Sequence, residues 1–166
     1  AAHAGMVGSR LIENLSHIPT QTFLASEFRY QEPLVDKSSL CIFVSQSGET
    51  ADTLGALKLC KELGARTLAI TNVVGSSITR EAMDVIYTYA GPEIAVASTK
   101  AYTSQLTIFY ILALYLAEQT ETLDIEKQEN IKREILNISS NMKKILKCLD
   151  SIKNIAKIIS TKKDVF

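Results

Sequence analysis

The sequence predicts an α/β domain of three layers, in which a mostly parallel sheet is covered by helices on both faces. A short apolar run at residues 40–44 and a predicted strand at residues 66–71 alternate with segments of helical periodicity. Strands that alternate with helices favour a parallel sheet between helical layers. The chain has 166 residues, of which 46% are hydrophobic and 22% charged, so that it is long enough to bury one sizeable core.

The first third of the chain contains two predicted helical segments and a predicted strand. Residues 4–15 carry apolar side chains at helical spacing, and Pro19 ends this helix. Residues 20–25 are expected to form a short strand. Residues 26–30 begin with a serine and a glutamate, which is typical of a helical turn, and Pro33 stops that turn.

A β-α-β succession follows the strand at residues 40–44. A helix is predicted over residues 51–63 and a second strand over residues 66–71, with Gly64 as the helix terminator between them. Residues 78–82 are expected to form a short helix and residues 84–89 a third strand.

The last part of the chain is predicted to be helical. A long apolar helix is expected over residues 99–118, followed by helices over residues 125–149 and 152–159 with lysine and glutamate on their outer faces. We interpret residues 1–166 as one domain with a helical C-terminal part at residues 120–161.

The composition excludes several classes of function. The formal net charge is zero and no basic run exceeds two residues, which argues against a nucleic-acid partner and against a membrane surface. No segment is typical of a signal peptide or a bilayer span. Cys41, Cys60 and Cys148 are widely spaced and are expected to be buried, so we predict no disulfide, no metal site and no cofactor, in a reducing cytoplasm.

The most informative segment is Ser-Gln-Ser-Gly-Glu-Thr at residues 45–50, between a predicted strand and a predicted helix. The first N–H groups of a helix lack intrahelical partners, and the helix dipole attracts anions there. Gly48 allows close approach of the backbone, and Ser45, Ser47 and Thr50 add hydroxyl groups. The alternative is that Ser47 or Thr50 only caps the helix. Three hydroxyls in six residues exceed what a cap needs, which favours a phosphate site.

A second polar junction begins the long apolar helix. Ser98, Thr99 and Lys100 follow the third predicted strand, and the carboxyl ends of parallel strands lie at one edge of a sheet. We therefore expect this loop to approach residues 45–50. The alternative for this segment is that Ser98 caps the helix and Lys100 is solvated.

Three segments together resemble the sugar isomerase (SIS) module of the glutamine–fructose-6-phosphate aminotransferase family. They are residues 45–54, residues 93–106 and the string Ala-Ser-Glu-Phe-Arg-Tyr at residues 25–30. The resemblance runs from about residue 3 to the end of the chain and weakens after residue 120.

The resemblance implies a flavodoxin-like parallel sheet that binds fructose 6-phosphate. In this family the whole enzyme makes glucosamine 6-phosphate with ammonia from glutamine, a step of amino-sugar biosynthesis that leads to UDP-N-acetylglucosamine. The family's phosphate contacts match Ser45, Gln46, Ser47 and Thr50. Its sugar contacts match Val96, Ala97 and Ser98.

Other candidate groups are weaker. Glu49 is not assigned a phosphate contact because two negative charges repel, and its alternative role is to orient the loop through backbone N–H groups. His3 and His17 occupy helix positions that favour surface or packing roles. Lys100 would need to be desolvated to form a Schiff base.

The sequence also departs from the family pattern. The first central strand with its Cys-Gly-Thr-Ser turn is absent, as are the second SIS module and the glutaminase domain, which carry the catalytic groups in the family. We therefore expect no catalytic residues here, a chain that binds sugar phosphate without completing the reaction, and both absent domains as partners. A missing strand also predicts a homo-oligomer or a substitute strand around Val165.

Two other classes of protein remain open on the sequence. A stand-alone SIS module, such as the sensor of a sugar-phosphate-responsive regulator, would use the same loop but should bring a helix-turn-helix and a basic patch, which are not found. A doubly wound nucleotide-binding domain would need a Gly-x-Gly-x-x-Gly turn, and the chain has no such glycine triplet.

Overall fold

The computed structural model describes residues 1–94 and 98–164. Two compact units are present, Ala1–Leu123 and Asp124–Phe166. The elements of the first unit are α1 (Ala2–Ser16), α2 (Ala25–Phe28), β1 (Leu40–Ser45), α3 (Ala51–Glu62), β2 (Arg66–Thr71), α4 (Ser77–Glu81), β3 (Asp84–Tyr87) and α5 (Lys100–Gln119). The second unit consists of α6 (Ile125–Leu146) and α7 (Leu149–Ile159). The expectation of one domain over the whole chain stays a prediction.

The described strands form a parallel sheet in the order β1-β2-β3. Leu40 pairs with Arg66 at the start of the first ladder, and Ser45 pairs with Thr71 at its end. Thr71 also pairs with Tyr87 of β3. All three strands therefore end at the same edge of the sheet, as the predicted fold class requires.

One helical layer contains α2, α3 and α4. Phe43 of β1 and Ala69 of β2 point to this side, where they join a buried cluster with Phe28, Leu57 and Ile78. Leu57 and Ile78 are completely buried. Burial of such side chains stabilises the fold by about 1.5 to 3 kcal/mol each, and it fixes α3 and α4 against the sheet.

The other layer contains α1 and α5. Ile70 of β2 points to this face and joins a second cluster with Ile12 of α1 and Phe109 of α5. The two helices approach so closely that a Cβ atom at Gly8 would lie 2.3 Å from Cδ1 of Phe109. The helices on opposite faces confirm the three-layer α/β architecture.

The strand predicted over residues 20–25 is wrong. This segment precedes α2 without regular structure, and its polar groups bind α1. The Thr20 N–H donates to Oε1 of Glu13 at 3.2 Å, and the Thr22 hydroxyl donates to the carbonyl of Gly5 at 3.0 Å. The β-branched composition suits a strand, but these bonds hold the segment to a helix instead of to the sheet.

Two smaller expectations also need correction. The helix predicted over residues 125–149 ends at Leu146, and a new helix starts at Leu149. Cys148 lies between them and is exposed, whereas Cys60 is buried and Cys41 is partly buried. Within the described ranges, no helix combines the length and apolarity that crossing a bilayer requires.

Candidate functional site

The polar loop at residues 45–50 lies where the sequence predicts it, between β1 and α3. Ser45 is the last residue of β1, and Thr50 is the N-cap residue of α3. Gly48 has a φ of 70°, which favours glycine, and a Cβ atom there would lie 2.2 Å from the Ser76 hydroxyl oxygen. The loop therefore requires glycine at this position for both its backbone conformation and its packing.

Two serine hydroxyls shape the loop from within. The Gly48 N–H donates to Oγ of Ser45 at 3.0 Å, and the Glu49 N–H donates to Oγ of Ser47 at 3.3 Å. Ser45 is almost fully buried, with 4% of its surface exposed. Both hydroxyls accept a backbone hydrogen bond and keep their own proton for a further partner.

The start of α3 has hydrogen-bond donors without a partner among the described residues. The Thr50 side chain forms no cap bond to α3, so the helix-cap alternative is not realised by this hydroxyl. The N–H groups of Ala51, Asp52 and Thr53 precede the first intrahelical donor, Leu54. These donors and the helix dipole favour an anion, whereas the carboxylate of Asp52 in the first turn opposes one.

Glu49 turns away from these donors and binds α4. Its Oε1 accepts from the Ser77 N–H at 2.8 Å, and its Oε2 accepts from the Ser77 hydroxyl at 2.6 Å. These hydrogen bonds, from the Ser77 hydroxyl first, lower the pKa of Glu49, and the charge of Arg80 contributes. This contact with a backbone N–H agrees with the orienting role that was the alternative for Glu49.

Asn72 joins the loops at the ends of the three strands, and sequence reasoning missed it. Its N–H donates to the Gln46 carbonyl at 3.1 Å, and its Nδ2 donates to the Gly91 carbonyl at 2.8 Å. Its Oδ1 accepts from the Thr88 hydroxyl and from the Ala90 N–H, each at 2.9 Å. The only signal in the sequence is an asparagine placed directly after a strand.

The second loop lies between Gly91 and the start of α5, and Glu93 holds its described residues together. Its Oε2 accepts from the Ser98 hydroxyl at 3.1 Å, and its Oε1 accepts from the Thr99 N–H at 2.9 Å. The bond from Thr99 is the main reason that the pKa of Glu93 is lowered. Ser98 therefore binds a carboxylate instead of capping α5 itself.

The desolvated amine that a Schiff base needs is not found at Lys100. This side chain is exposed, and its Nζ donates to the Pro92 carbonyl at 2.5 Å. His3 and His17 are both exposed on α1 or at its end, in agreement with a surface role. Among the described residues, no group of His, Cys, Asp or Glu is arranged to hold a metal ion.

The predicted site residues are therefore distributed over two loops. Ser45, Gln46, Ser47 and Thr50 lie together in the first loop, which Asn72 connects to Gly91 at the start of the second. Ser98 lies in the second loop. Val96 and Ala97 lie outside the described residues.

The segment at residues 25–30 contacts the helix that follows the first loop. Phe28 is buried in the same cluster as Leu57 of α3. Arg29 covers Gly55, where a Cβ atom would lie 2.7 Å from its Nη1. This third family-like string thus supports α3 through packing.

The comparisons with known proteins agree on one family. The profile of the SIS domain family matches residues 1–115. The glutamine–fructose-6-phosphate aminotransferase of Clostridium tetani is 55% identical over 166 residues, which is the whole of this chain and 27% of that protein. The chain therefore spans about a quarter of the length of the curated relatives it matches.

Solved structures show the same relationship. The C-terminal domain of glucosamine-fructose-6-phosphate aminotransferase from Francisella tularensis superposes with a TM-score of 0.89 and 37% identity, covering 98% of this chain and 46% of that one. Glucosamine-6-phosphate deaminase from Thermotoga maritima has a TM-score of 0.66 at 23% identity, covering 80% of this chain and 41% of that one. The second likeness concerns the fold alone.

Proposed function

Because this chain belongs to the SIS domain family, we propose that it binds fructose 6-phosphate as part of the isomerase region of a glutamine–fructose-6-phosphate aminotransferase. The phosphate binds to the loop between β1 and α3, and the sugar binds to the loop before α5. The residues that make these contacts are Ser45, Gln46, Ser47, Thr50, Val96, Ala97 and Ser98.

The observation that carries this proposal is the set of donors at the start of α3 that have no partner in the described part of the chain. A phosphate placed there meets the first N–H groups of the helix, the Thr50 hydroxyl and the proton of Ser47. The Gln46 side chain makes no hydrogen bond to a described residue and is free to join them. No direct contact of the phosphate with a lysine or arginine is needed, because amides and hydroxyls supply the donors.

The chain supplies binding and leaves the acid–base chemistry to other parts of the enzyme. Conversion of a ketose to an aldose needs an acid and a base beside adjacent carbons. In the part of the chain that the structure describes, both histidines are exposed on or after α1, and Lys100 is exposed. We propose that the glutaminase domain and the second SIS module are its partners, in the cytoplasm.

Replacing Thr50 by valine tests the phosphate site. Valine keeps the shape of threonine and removes one hydroxyl donor to a charged ligand, which costs about 1.5 to 3 kcal/mol of binding free energy. Isothermal titration with fructose 6-phosphate should show about 10- to 100-fold weaker binding for Thr50→Val.

Thr161→Val is the matched control, because Thr161 is exposed and its hydroxyl donates to the Ile158 carbonyl of α7, outside both loops. Its affinity for fructose 6-phosphate should equal that of the unmodified protein. Unchanged affinity in Thr50→Val would remove this hydroxyl from the site. Absence of any binding by the unmodified protein at millimolar ligand would count against the proposed function.

A further inference from the structure

The loop at residues 45–50, called the phosphate loop from here on, is attached to α4 by three hydrogen bonds among the described residues. Two join the carboxylate of Glu49 to the N–H and hydroxyl of Ser77, and the third runs from the Ile78 N–H to the Gly48 carbonyl at 3.0 Å. Glu49 and Ser77 are 28 residues apart in sequence. The helix α4 thus holds the loop at Gly48 and Glu49.

The short helix α4 depends on this carboxylate in return. Its own N-cap residue, Ser76, makes no cap bond, and the buried Ser76 hydroxyl has no hydrogen-bond partner among the described residues. The N–H of the first helical residue, Ser77, is satisfied by Glu49 instead. A five-residue helix is marginal by itself, so α4 relies on this bond together with the burial of Ile78.

Arg80 brings a positive charge to the same place. Its Nη2 donates to the Ser77 hydroxyl oxygen at 3.0 Å, and its Nη1 donates to the Gly75 carbonyl. The Ser77 hydroxyl therefore donates to the Glu49 carboxylate and accepts from the Arg80 guanidinium. An ionised carboxylate near a phosphate dianion weakens binding unless a cation offsets its charge.

We propose that Glu49 is a positioning residue that fixes the phosphate loop against α4, and that Arg80 offsets its charge so that a phosphate dianion is not repelled. This inference rests on the proposed function for its ligand. It explains why a carboxylate lies within a loop that binds an anion. It also assigns α4 a role in the site without any contact to the ligand.

Two substitutions of Glu49 separate positioning from charge. Glu49→Gln removes the charge but keeps an oxygen that accepts from the Ser77 N–H and an amide that donates to the Ser77 hydroxyl oxygen. Glu49→Ala removes the charge and both bonds. Titration with fructose 6-phosphate should show about tenfold weaker binding for Glu49→Ala and binding within about twofold of the unmodified protein for Glu49→Gln.

If Glu49 acts only through its charge, the two variants will behave alike, which would overturn the positioning role. The role of Arg80 has its own test. Arg80→Met should weaken binding of fructose 6-phosphate about threefold when Glu49 is present and should have no effect in a Glu49→Gln background. Equal effects in both backgrounds, or none in either, would show that Arg80 does not offset this charge.

Amide hydrogen exchange tests the positioning role without any ligand. The N–H groups of Ser77 and Ile78 should exchange faster in Glu49→Ala and at the unmodified rate in Glu49→Gln. If the unmodified protein binds no sugar phosphate, the proposed function fails while exchange still decides the role of Glu49. Unmodified exchange rates in Glu49→Ala would contradict the inference.

Discussion

The Asn72 side chain has three partners in the chain segment that leaves β3. Its amide donates to Gly91 and accepts from Thr88 and Ala90, while its backbone N–H donates to Gln46. Every one of these partners lies beyond the carboxyl end of a strand. One residue therefore determines how the phosphate loop lies relative to the start of the second loop.

Replacing Asn72 by alanine should lower the free energy of unfolding. The substitution leaves the Thr88 hydroxyl and the Ala90 N–H without their partner, and loss of such partly buried hydrogen bonds costs about 1 to 3 kcal/mol. Urea unfolding measures this loss. Asn14→Ala is the control, because Asn14 is an exposed residue of α1, and its effect should stay within about 0.5 kcal/mol. Equal stability of the two variants would contradict the bridging role of Asn72.

At the scale of elements, the two edges of the sheet have different roles. The carboxyl ends of the strands carry the candidate site. The amino ends of β2 and β3 are joined by Arg66 and Asp84, whose Nε–Oδ2 and Nη2–Oδ1 distances are 2.7 and 3.2 Å. This bidentate pair lies at the first residue of each strand. It aligns the strands far from the ligand loops, so that its loss affects stability and leaves the site contacts in place.

The stability that this pair contributes should disappear at acidic pH. The hydrogen bond and charge of Arg66 lower the pKa of Asp84 below its ordinary value of 3.8. A lowered pKa in the folded state gives stability that is present above the unfolded pKa and is lost as pH falls through the folded pKa. Urea unfolding of the unmodified protein and of Asp84→Asn should therefore differ near neutral pH and converge once the pH is below the folded pKa of Asp84.

Because both side chains are exposed, the difference at neutral pH should be small. Asp164→Asn is a control for the loss of one charge, since Asp164 is exposed near the end of the chain. The free energies of unfolding of Asp84→Asn and of the unmodified protein could instead differ by the same amount at neutral and at acidic pH. That result would show that Arg66 does not stabilise the fold through the Asp84 charge.

The succession of elements was predictable where local pattern decides structure. The run at residues 40–44 and the segment at residues 66–71 are strands because apolar side chains have a helical layer on each side to pack against. The hydroxyl-rich loop was predictable because its position follows from these elements. Residues 20–25 were mispredicted because their bonds to α1 come from tertiary structure.

The network around the site was harder to predict than its loop. Glu49 binds Ser77, 28 residues later, and Asn72 binds Gly91, 19 residues later. No local periodicity reports such bonds, since they form only after the sheet has brought the strand ends together. The contact between Glu93 and Ser98 was equally hard to predict, although the two residues are only five positions apart.

At the scale of the molecule, β1 is an edge strand of the sheet. Among the described strands, β1 pairs with β2 on one side and with no strand on the other. Its first residue, Leu40, is 47% exposed. The backbone N–H and carbonyl groups on that side are a template for another strand. The substitute strand predicted around Val165 lies outside the described residues.

We expect the protein to self-associate through this edge of the sheet. Light scattering across a concentration series should give a mass above 18.3 kDa that rises with concentration, as edge pairing between copies requires. Hydrogen exchange at the N–H groups of β1 should slow as concentration rises. A monomer at every concentration, with fast exchange along β1, would contradict the prediction.

The near-contact between Gly8 and Phe109 links the N-terminal helix to the ligand loops. A Cβ atom at residue 8 would overlap the Phe109 ring, and Phe109 belongs to the same helix whose first turn follows Ser98 and Thr99. Any larger side chain would force the two helices apart. Because an α-helix moves largely as a rigid rod, that displacement would also shift Ser98 from its position beside Glu93. A larger side chain at Gly8 would then weaken the proposed sugar binding, although Gly8 lies in neither of the two loops.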